Sequence, residues 1–155
     1  MDAVTLRVLS GALRAACEEM GAVLVKAAHS ANIKERRDCS CALFDPTGAM
    51  VMQAEHIPVH LGAMPAAVQA VVDAREDGDE RPWILNDPYA GGTHLPDITV
   101  VTPVLDGDAR LGFAASRAHH ADVGGPTPGS MPADSRTLEE EGVVIEPQPL
   151  DEGSL

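Results

Sequence analysis

The sequence predicts an α+β fold in which a long N-terminal helix and a shorter second helix pack on a mainly antiparallel sheet. Three observations predict it: apolar residues recur at helical spacing over residues 2–28, a second helical pattern begins at a proline near residue 65, and two pairs of apolar segments are joined by tight turns. With 155 residues, of which 45% are hydrophobic, the chain can bury one core, so residues 1–155 are expected to form a single domain.

Spacing and capping signals predict the two helices. After Asp2, a favourable N-cap, apolar residues recur at steps of three and four until about Ala28. These residues are Leu6, Leu9, Leu13, Cys17, Met20 and Leu24. Pro65 suits the first turn of the second helix, which should end before residue 75. Residues 75–80 are polar, and we expect them to form a solvated loop.

Turn signals predict the strands. Residues 40–44 and 49–54 should form a hairpin, because Pro46 and Gly48 suit the second and fourth positions of the turn between them. A short buried strand is expected at 83–85, and a second hairpin at 98–105 and 111–118 around the turn 106–108. After Gly124 the sequence is rich in proline, glycine and acidic residues, so this segment should have no core of its own. We expect it to be held in place by contacts with another element.

Charge and composition exclude several classes of function. The net charge is -13 and only 3% of residues are aromatic, so we expect no nucleic-acid partner. The sequence shows no secretion signal and no apolar stretch approaching the roughly 18 residues of a membrane span, which predicts a cytoplasmic protein without membrane contact. Its three cysteines lack metal-finger spacing and are expected to be buried free thiols.

Two glycine-flanked motifs contain the residues that best predict chemistry. His94 and Asp97 precede one strand of the second hairpin, and His119 follows the other strand. Because antiparallel strands joined by a tight turn place their far ends side by side, residues 94–97 and 119–122 should be neighbours. Two imidazoles and one carboxylate suit Mn, Fe or Zn better than Mg or Ca. A histidine pair is also common as a hydrogen-bonded structural feature, and spacing alone leaves both interpretations open.

Further polar residues are candidates for supporting roles. His120 or Asp122 would hold the third ligand in one tautomer. His56 and His60 lie four residues apart around Pro58, so we expect both in an extended segment. There they would either line the substrate site or form a structural pair. The charged run 34–38 is expected to be a salt-bridged surface, with an anion clamp as the weaker alternative. Glycine-rich nucleotide-binding motifs are absent from the sequence, so any ATP would be bound by another chain.

Five blocks of the sequence carry a family resemblance: 32–38, 53–65, 84–97, 116–125 and 128–132. They include the stretch Asn86-Asp87-Pro88-Tyr89-Ala90-Gly91-Gly92-Thr93-His94-Leu95-Pro96-Asp97. In this order they resemble the N-terminal part of the hydantoinase B/oxoprolinase family over nearly the whole chain. That family includes the B-type polypeptide of N-methylhydantoinase, the C-terminal half of 5-oxoprolinase, and the larger subunits of acetone and acetophenone carboxylases.

The resemblance implies ATP-dependent chemistry on a small carbonyl compound or cyclic amide. A separate hydantoinase A-type subunit phosphorylates the substrate, and the B-type subunit completes hydrolysis or carboxylation. In the acetone carboxylase branch, a histidine, an aspartate three residues on and a later histidine hold manganese, and these correspond to His94, Asp97 and His119. The candidates for proton transfer or substrate contact are His120, Asp122, His56 and His60.

The resulting expectation is the metal-bearing part of an ATP-dependent hydantoinase or 5-oxoprolinase-type hydrolase that opens a lactam or hydantoin ring. One alternative is a carboxylase of the acetone or acetophenone type, and another is a catalytically inert assembly fragment. Family members run to several hundred residues, so the chain is expected to be an N-terminal fragment of a B-type subunit. Its expected partners are the remaining C-terminal part of that subunit and the ATP-binding A-type subunit.

Overall fold

The molecule is built on one six-stranded antiparallel sheet with the spatial strand order β2-β1-β5-β4-β3-β6. The computed structural model describes residues 1–55, 60 and 62–151. Its strands are β1 Cys39–Phe44, β2 Met50–Glu55, β3 Trp83–Leu85, β4 Asp97–Asp106, β5 Ala109–His119 and β6 Gln148–Pro149. The α-helices of the described residues are α1 Ala3–Ala27, α2 Ala31–Lys34 and α3 Met64–Ala74, with a 3-10 turn at Leu138–Glu140. The predicted α+β class is therefore confirmed.

Helix α1 begins and ends where the spacing predicts. The side chain of Asp2 accepts hydrogen bonds from the backbone N–H groups of Val4 (2.9 Å) and Thr5 (2.8 Å), which satisfies two of the free donors at the helix start. Burial is confined to the second half of the helix, at Cys17 and Gly21. A helix of 25 residues is about 37 Å long, whereas a strand of six residues spans only about 20 Å, so the helix extends beyond the first hairpin. No helix in the described part of the chain is long and apolar enough to cross a membrane.

The first hairpin forms as predicted, and its turn is held by one carboxylate. Asp45 Oδ1 accepts from the backbone N–H groups of Thr47 (2.8 Å) and Ala49 (3.0 Å). Gly48 has φ +87°, a conformation that glycine adopts at little cost. The turn therefore fixes the pairing of β1 with β2, and the other edge of β1 pairs with β5.

The main core lies between α3 and one face of the sheet. Pro65 occupies the first turn of α3, as predicted. The buried cluster comprises Ala42, Phe44, Met64, Ala67, Val68, Val71, Trp83, Leu85, Val101, Phe113 and Ala115. These residues alternate along the strands, as expected for a sheet with one face against a helix.

The segment 75–80 is a loop in which residues 76–78 are exposed, as predicted, but the side chain of its first residue is buried. The Arg75 side chain is only 5% exposed, and its guanidinium lies 5.5 Å from the centre of the Phe113 ring. It also donates to the Asp79 carbonyl oxygen and lies 3.5 Å from a Glu80 carboxylate oxygen. A charged group can leave water when an aromatic face, a carbonyl and a carboxylate replace its hydration, which explains the burial.

The C-terminal segment was predicted to need support from another element, and the structure shows that this element is β3. Strand β6 pairs with β3, and the N–H groups of Asn86 and Asp87 donate to the Ile145 carbonyl oxygen at 2.9 and 3.2 Å. The side chain of Asn86 is fully buried and bonds to the same segment. Backbone hydrogen bonds therefore hold this segment in place, with Ile145 as its buried apolar contact.

The three cysteines are free and buried, as predicted. Burial raises the pKa of all three thiols, and that of Cys41 rises to about 12. Because the thiolate is the reactive form and all three thiols are buried, we expect the folded protein to react with Ellman's reagent at pH 8 much more slowly than a free cysteine peptide. Three equivalents should react once guanidinium unfolds the chain. Rapid labelling of any thiol in the folded state would contradict this prediction.

Candidate metal centre

The register of the second hairpin brings the predicted ligands to one end of the sheet. Asp97, the first residue of β4, lies directly opposite His119, the last residue of β5. His94 belongs to the turn before β4, where the Asp97 N–H donates to the His94 carbonyl oxygen at 3.0 Å. The two motifs therefore meet as the sequence predicts.

Donor atoms of these three residues converge on one point. His94 Nδ1 lies 3.1 Å from Asp97 Oδ2, and His119 Nδ1 lies 3.2 Å from Asp97 Oδ1. The two imidazoles also approach each other, with 3.2 Å between His94 Nε2 and His119 Nδ1. One potential ligand atom from each residue lies within 4.8 Å of the other two, a spacing compatible with a shared divalent ion.

The Asp97 carboxylate is the centre of this cluster and is 1% exposed. Burial raises its pKa, but hydrogen bonds from His60, His94 and Thr93 outweigh that effect and hold the pKa well below its usual range. Thr93 Oγ1 donates to Oδ2 at 2.5 Å. Oδ1, in contrast, is buried and accepts no hydrogen bond from the described residues. A buried, ionised oxygen that accepts no hydrogen bond from the described residues is available to a cation, so the residues present fit a divalent ion.

Protonation of His94 opposes metal binding at low pH. The hydrogen bond to Asp97 raises the pKa of His94, and burial only partly offsets it. The imidazole therefore keeps its proton to a higher pH than a free histidine does. A cation must displace that proton, so metal affinity should rise with pH through the range in which His94 titrates.

Asp38 is a site residue that the sequence analysis missed. Its Oδ2 lies 3.9 Å from His119 Nδ1, and its Oδ1 lies 3.7 Å from His60 Nε2. The charged run 34–38 predicted a salt-bridged surface, whereas its last residue faces the cluster. The tertiary structure brings Asp38 to the cluster. Strand β1 begins beside the end of β5, and the backbone N–H of His119 donates to the Asp38 carbonyl oxygen at 3.0 Å. No spacing in the sequence reveals that pairing.

His60 lies beneath the cluster with its side chain 1% exposed. Its Nδ1 is 2.9 Å from Ser40 Oγ, and its Nε2 is 3.5 Å from Asp97 Oδ2. The other member of the predicted pair, His56, lies outside the described residues. The burial of His60 favours a supporting role over substrate contact.

His120 and Asp122 occupy different surroundings. His120 is half-buried, its N–H donates to the Pro96 carbonyl oxygen at 2.8 Å, and burial lowers the pKa of its imidazole. Asp122 is exposed, and its Oδ1 accepts from the Gly124 N–H (2.8 Å) and Ser130 Oγ (3.0 Å). These hydrogen bonds stabilise the turn after β5, and they also lower the pKa of Asp122.

The predicted orienting role of His120 or Asp122 toward His119 differs from the observed contacts. The carboxylates beside His119 Nδ1 in the described part of the chain are those of Asp97 and Asp38. The carboxylates that face His119 Nδ1 thus come from the first residue of β4 and from the residue before β1.

A buried arginine supports the glycine-rich loop that carries His94. Arg117 is fully buried, its Nε donates to Thr99 Oγ1 at 2.8 Å, and its Nη2 donates to the Gly91 carbonyl oxygen at 3.1 Å. Gly91 has φ +95°, and a Cβ there would lie 2.8 Å from Ala67 Cα, so only glycine fits. Arg117 was not predicted, because an arginine in an alternating strand gives no signal of burial.

Comparison with known proteins identifies the family of the chain. The family model for hydantoinase B/oxoprolinase matches residues 2–153, and the chain therefore belongs to that family. It is 48% identical over 148 residues to 5-oxoprolinase 1 of Arabidopsis thaliana, covering 93% of this chain and 12% of the relative. It is 33% identical over 136 residues to a putative D-/L-hydantoinase polypeptide of the B type from a Pseudomonas species, covering 84% of this chain and 23% of the relative.

A solved structure shows the same fold. The chain resembles the ATP-dependent caprolactamase of Pseudomonas jessenii with a TM-score of 0.79 and 31% identity, covering 99% of this chain and 27% of that one. The chain thus spans between about an eighth and about a quarter of the lengths of these relatives.

Proposed function

We propose that this chain is the metal-bearing N-terminal portion of an ATP-dependent hydrolase that opens a cyclic amide such as a lactam or hydantoin. The observation that carries the proposal is the convergence of His94, Asp97 and His119 around a buried carboxylate oxygen that accepts no hydrogen bond from the described residues. Membership of the hydantoinase B/oxoprolinase family supports it, as do relatives named for 5-oxoproline, hydantoin and caprolactam chemistry.

The ligand chemistry favours a transition metal. Two imidazoles and a carboxylate suit Mn, Zn or Fe, and Asp38 adds a second carboxylate facing the same cluster. A bound divalent ion polarises an amide carbonyl or lowers the pKa of a water molecule. His94 is 36% exposed and His119 15%, so the cluster opens toward solvent on the side of these rings, where a small substrate would approach.

A histidine must be neutral to act as a general base, and the surroundings of His120 favour its neutral form. Burial lowers the pKa of its imidazole, and proximity to His119 lowers it further. A neutral imidazole next to the ligand set can accept a proton from an attacking water and return it to the amide nitrogen of the opening ring. His120 is accordingly our choice for the proton-transfer residue.

ATP chemistry belongs to a partner in this proposal. The sequence has none of the usual glycine-rich phosphate loops, and a net charge of -13 disfavours a phosphate site built from its own side chains. In our proposal ATP is bound by a hydantoinase A-type subunit, which also activates the substrate. The remaining C-terminal part of a B-type subunit would complete the site, since the chain spans only 12% of 5-oxoprolinase 1.

Metal content tests the first half of the proposal. Protein expressed with added Mn²⁺ or Zn²⁺ should contain about one divalent ion per chain by elemental analysis. After removal of the metal with a chelator, adding it back at 100 times the dissociation constant should stabilise the fold by about 2.7 kcal/mol, measured by denaturant unfolding. Protein without stoichiometric metal under these conditions would overturn the proposed centre.

Reconstitution tests the second half. The chain is combined with an A-type subunit and the remaining B-type polypeptide, and ring opening of 5-oxoproline, hydantoin or caprolactam is followed together with ATP hydrolysis. We expect ATP-dependent ring opening that stops when metal is withheld. Turnover of acetone or acetophenone that depends on bicarbonate would instead indicate a carboxylase, and assembly without any turnover would indicate an inert fragment.

A further inference from the structure

Ser40, His60 and Asp97 form a continuous row of buried polar side chains that ends at the candidate metal centre. Ser40 is 4% exposed, while His60 and Asp97 are each 1% exposed. Ser40 Oγ lies 2.9 Å from His60 Nδ1, and His60 Nε2 lies 3.5 Å from Asp97 Oδ2. Ser40 lies in β1, which pairs with both β2 and β5, so the first residue of this polar row belongs to a strand that is hydrogen-bonded on both edges.

The surroundings of His60 select one tautomer. Its Nε2 faces two carboxylates, Asp97 at 3.5 Å and Asp38 at 3.7 Å, and only a protonated nitrogen is favourable there. In a neutral imidazole the other nitrogen, Nδ1, is then an acceptor, and the Ser40 hydroxyl supplies the proton that it accepts. His60 therefore has a defined partner at each nitrogen.

This arrangement distinguishes the two oxygens of Asp97. Oδ2 faces three donors: Thr93 Oγ1 at 2.5 Å, His94 Nδ1 at 3.1 Å and His60 Nε2 at 3.5 Å. Oδ1 accepts no hydrogen bond from the described residues and faces His119 Nδ1 at 3.2 Å. The side chain of Asp97 is thus fixed through one oxygen while the other stays available.

From this we infer that His60, oriented by Ser40, is a positioning residue that holds Asp97 so that Oδ1 is the oxygen presented to the metal. The inference rests on the proposed function, because it concerns the same centre. It differs from the proton-transfer or substrate-contact role that the sequence predicts for His60, since the ring is buried and both its nitrogens already face protein groups. Side chains that orient a metal ligand commonly contribute 10- to 100-fold in affinity.

The test compares metal affinity across variants of the full chain. In His60→Met the ring is replaced by an apolar side chain that cannot donate, and we expect the dissociation constant for Mn²⁺ or Zn²⁺ to rise about 10- to 100-fold. In His60→Gln an amide N–H returns near the position of Nε2 and should restore most of the affinity. With Co²⁺ as the probe, the visible absorption bands should shift in His60→Met and return toward those of the unaltered protein in His60→Gln, a signature that a purely structural role would not move.

A milder variant and a control keep the test decisive. If His60→Met fails to fold, Ser40→Ala removes only the hydroxyl and should weaken metal binding in the same direction by a smaller factor. His29→Gln alters an exposed histidine and should leave affinity and spectrum unchanged. A folded His60→Met or Ser40→Ala protein with unchanged affinity and Co²⁺ spectrum would overturn the positioning role. Absence of binding by the unaltered protein would instead overturn the metal centre itself.

Discussion

Replacing Asp97 with asparagine should lower the affinity for Mn²⁺ or Zn²⁺ by more than about 100-fold, beyond the usual effect of losing a residue that only supports a ligand. Asparagine has nearly the same shape, so the fold should persist while the negative charge is lost. The effect is large because the carboxylate lies 3.1 Å from His94 Nδ1 and 3.2 Å from His119 Nδ1 and is the only buried acidic residue in the described part of the chain. Isothermal titration of the metal-free protein measures it.

A matched control is available on the same strand. Asp106 is the last residue of β4, whereas Asp97 is the first. Asp106 is exposed and lies at the turn of the hairpin, at the opposite end of β4 from the candidate metal centre. The substitution Asp106→Asn removes the same charge from the molecule and should leave metal affinity within about twofold, because exposed charges at such a distance are largely screened by salt. Equal affinities for the Asp97→Asn and Asp106→Asn proteins would remove Asp97 from the ligand set.

Replacing Asn86 with alanine should lower the free energy of unfolding by about 3 to 5 kcal/mol, since each unsatisfied buried polar group costs about 1 to 3 kcal/mol. The Asn86 side chain donates to the carbonyl oxygens of Leu95 and Val143, both at 2.9 Å, and accepts from the Ile145 N–H at 2.6 Å. The variant leaves all three backbone groups without that partner. Denaturant unfolding measures the loss, and hydrogen exchange should show lost protection at Ile145.

Gln148 provides the comparison for Asn86. Its side chain lies in β6, in the same C-terminal segment, but it is exposed. Gln148→Ala should change the free energy of unfolding by less than about 0.5 kcal/mol. If Asn86→Ala cost no more than Gln148→Ala, the C-terminal segment would be held by its strand pairing with β3 and not by the buried amide.

The local elements follow from local signals. Asp2 caps α1, Pro65 begins α3, and Gly48 completes the first turn, each for a reason that lies within a few neighbouring residues. The meeting of His94, Asp97 and His119 could also be predicted, because a single hairpin joins their two motifs and the geometry of a hairpin is known from its turn.

Side chains whose partners come from distant strands could not be predicted. Asp38 faces His119 because β1 pairs with β5, and Arg75 is buried because the Phe113 ring of β5 lies beneath it. Such contacts depend on strand order and register, which alternation of apolar residues constrains only weakly. The same limit explains why the position of His60 between Ser40 and Asp97 was not foreseen.

The sequence alone therefore determined the α+β class, the main helices and hairpins, the family and the three potential ligands. Only the tertiary structure decided which groups surround those ligands: a buried Asp97 oxygen without a donor among the described residues, Asp38 beside His119, and Arg117 beneath the glycine loop. The physical reason is the separation along the sequence of the residues that determine each feature. Helices, turns and single hairpins are set by residues close in sequence, whereas the burial and orientation of a polar side chain depend on every element packed around it.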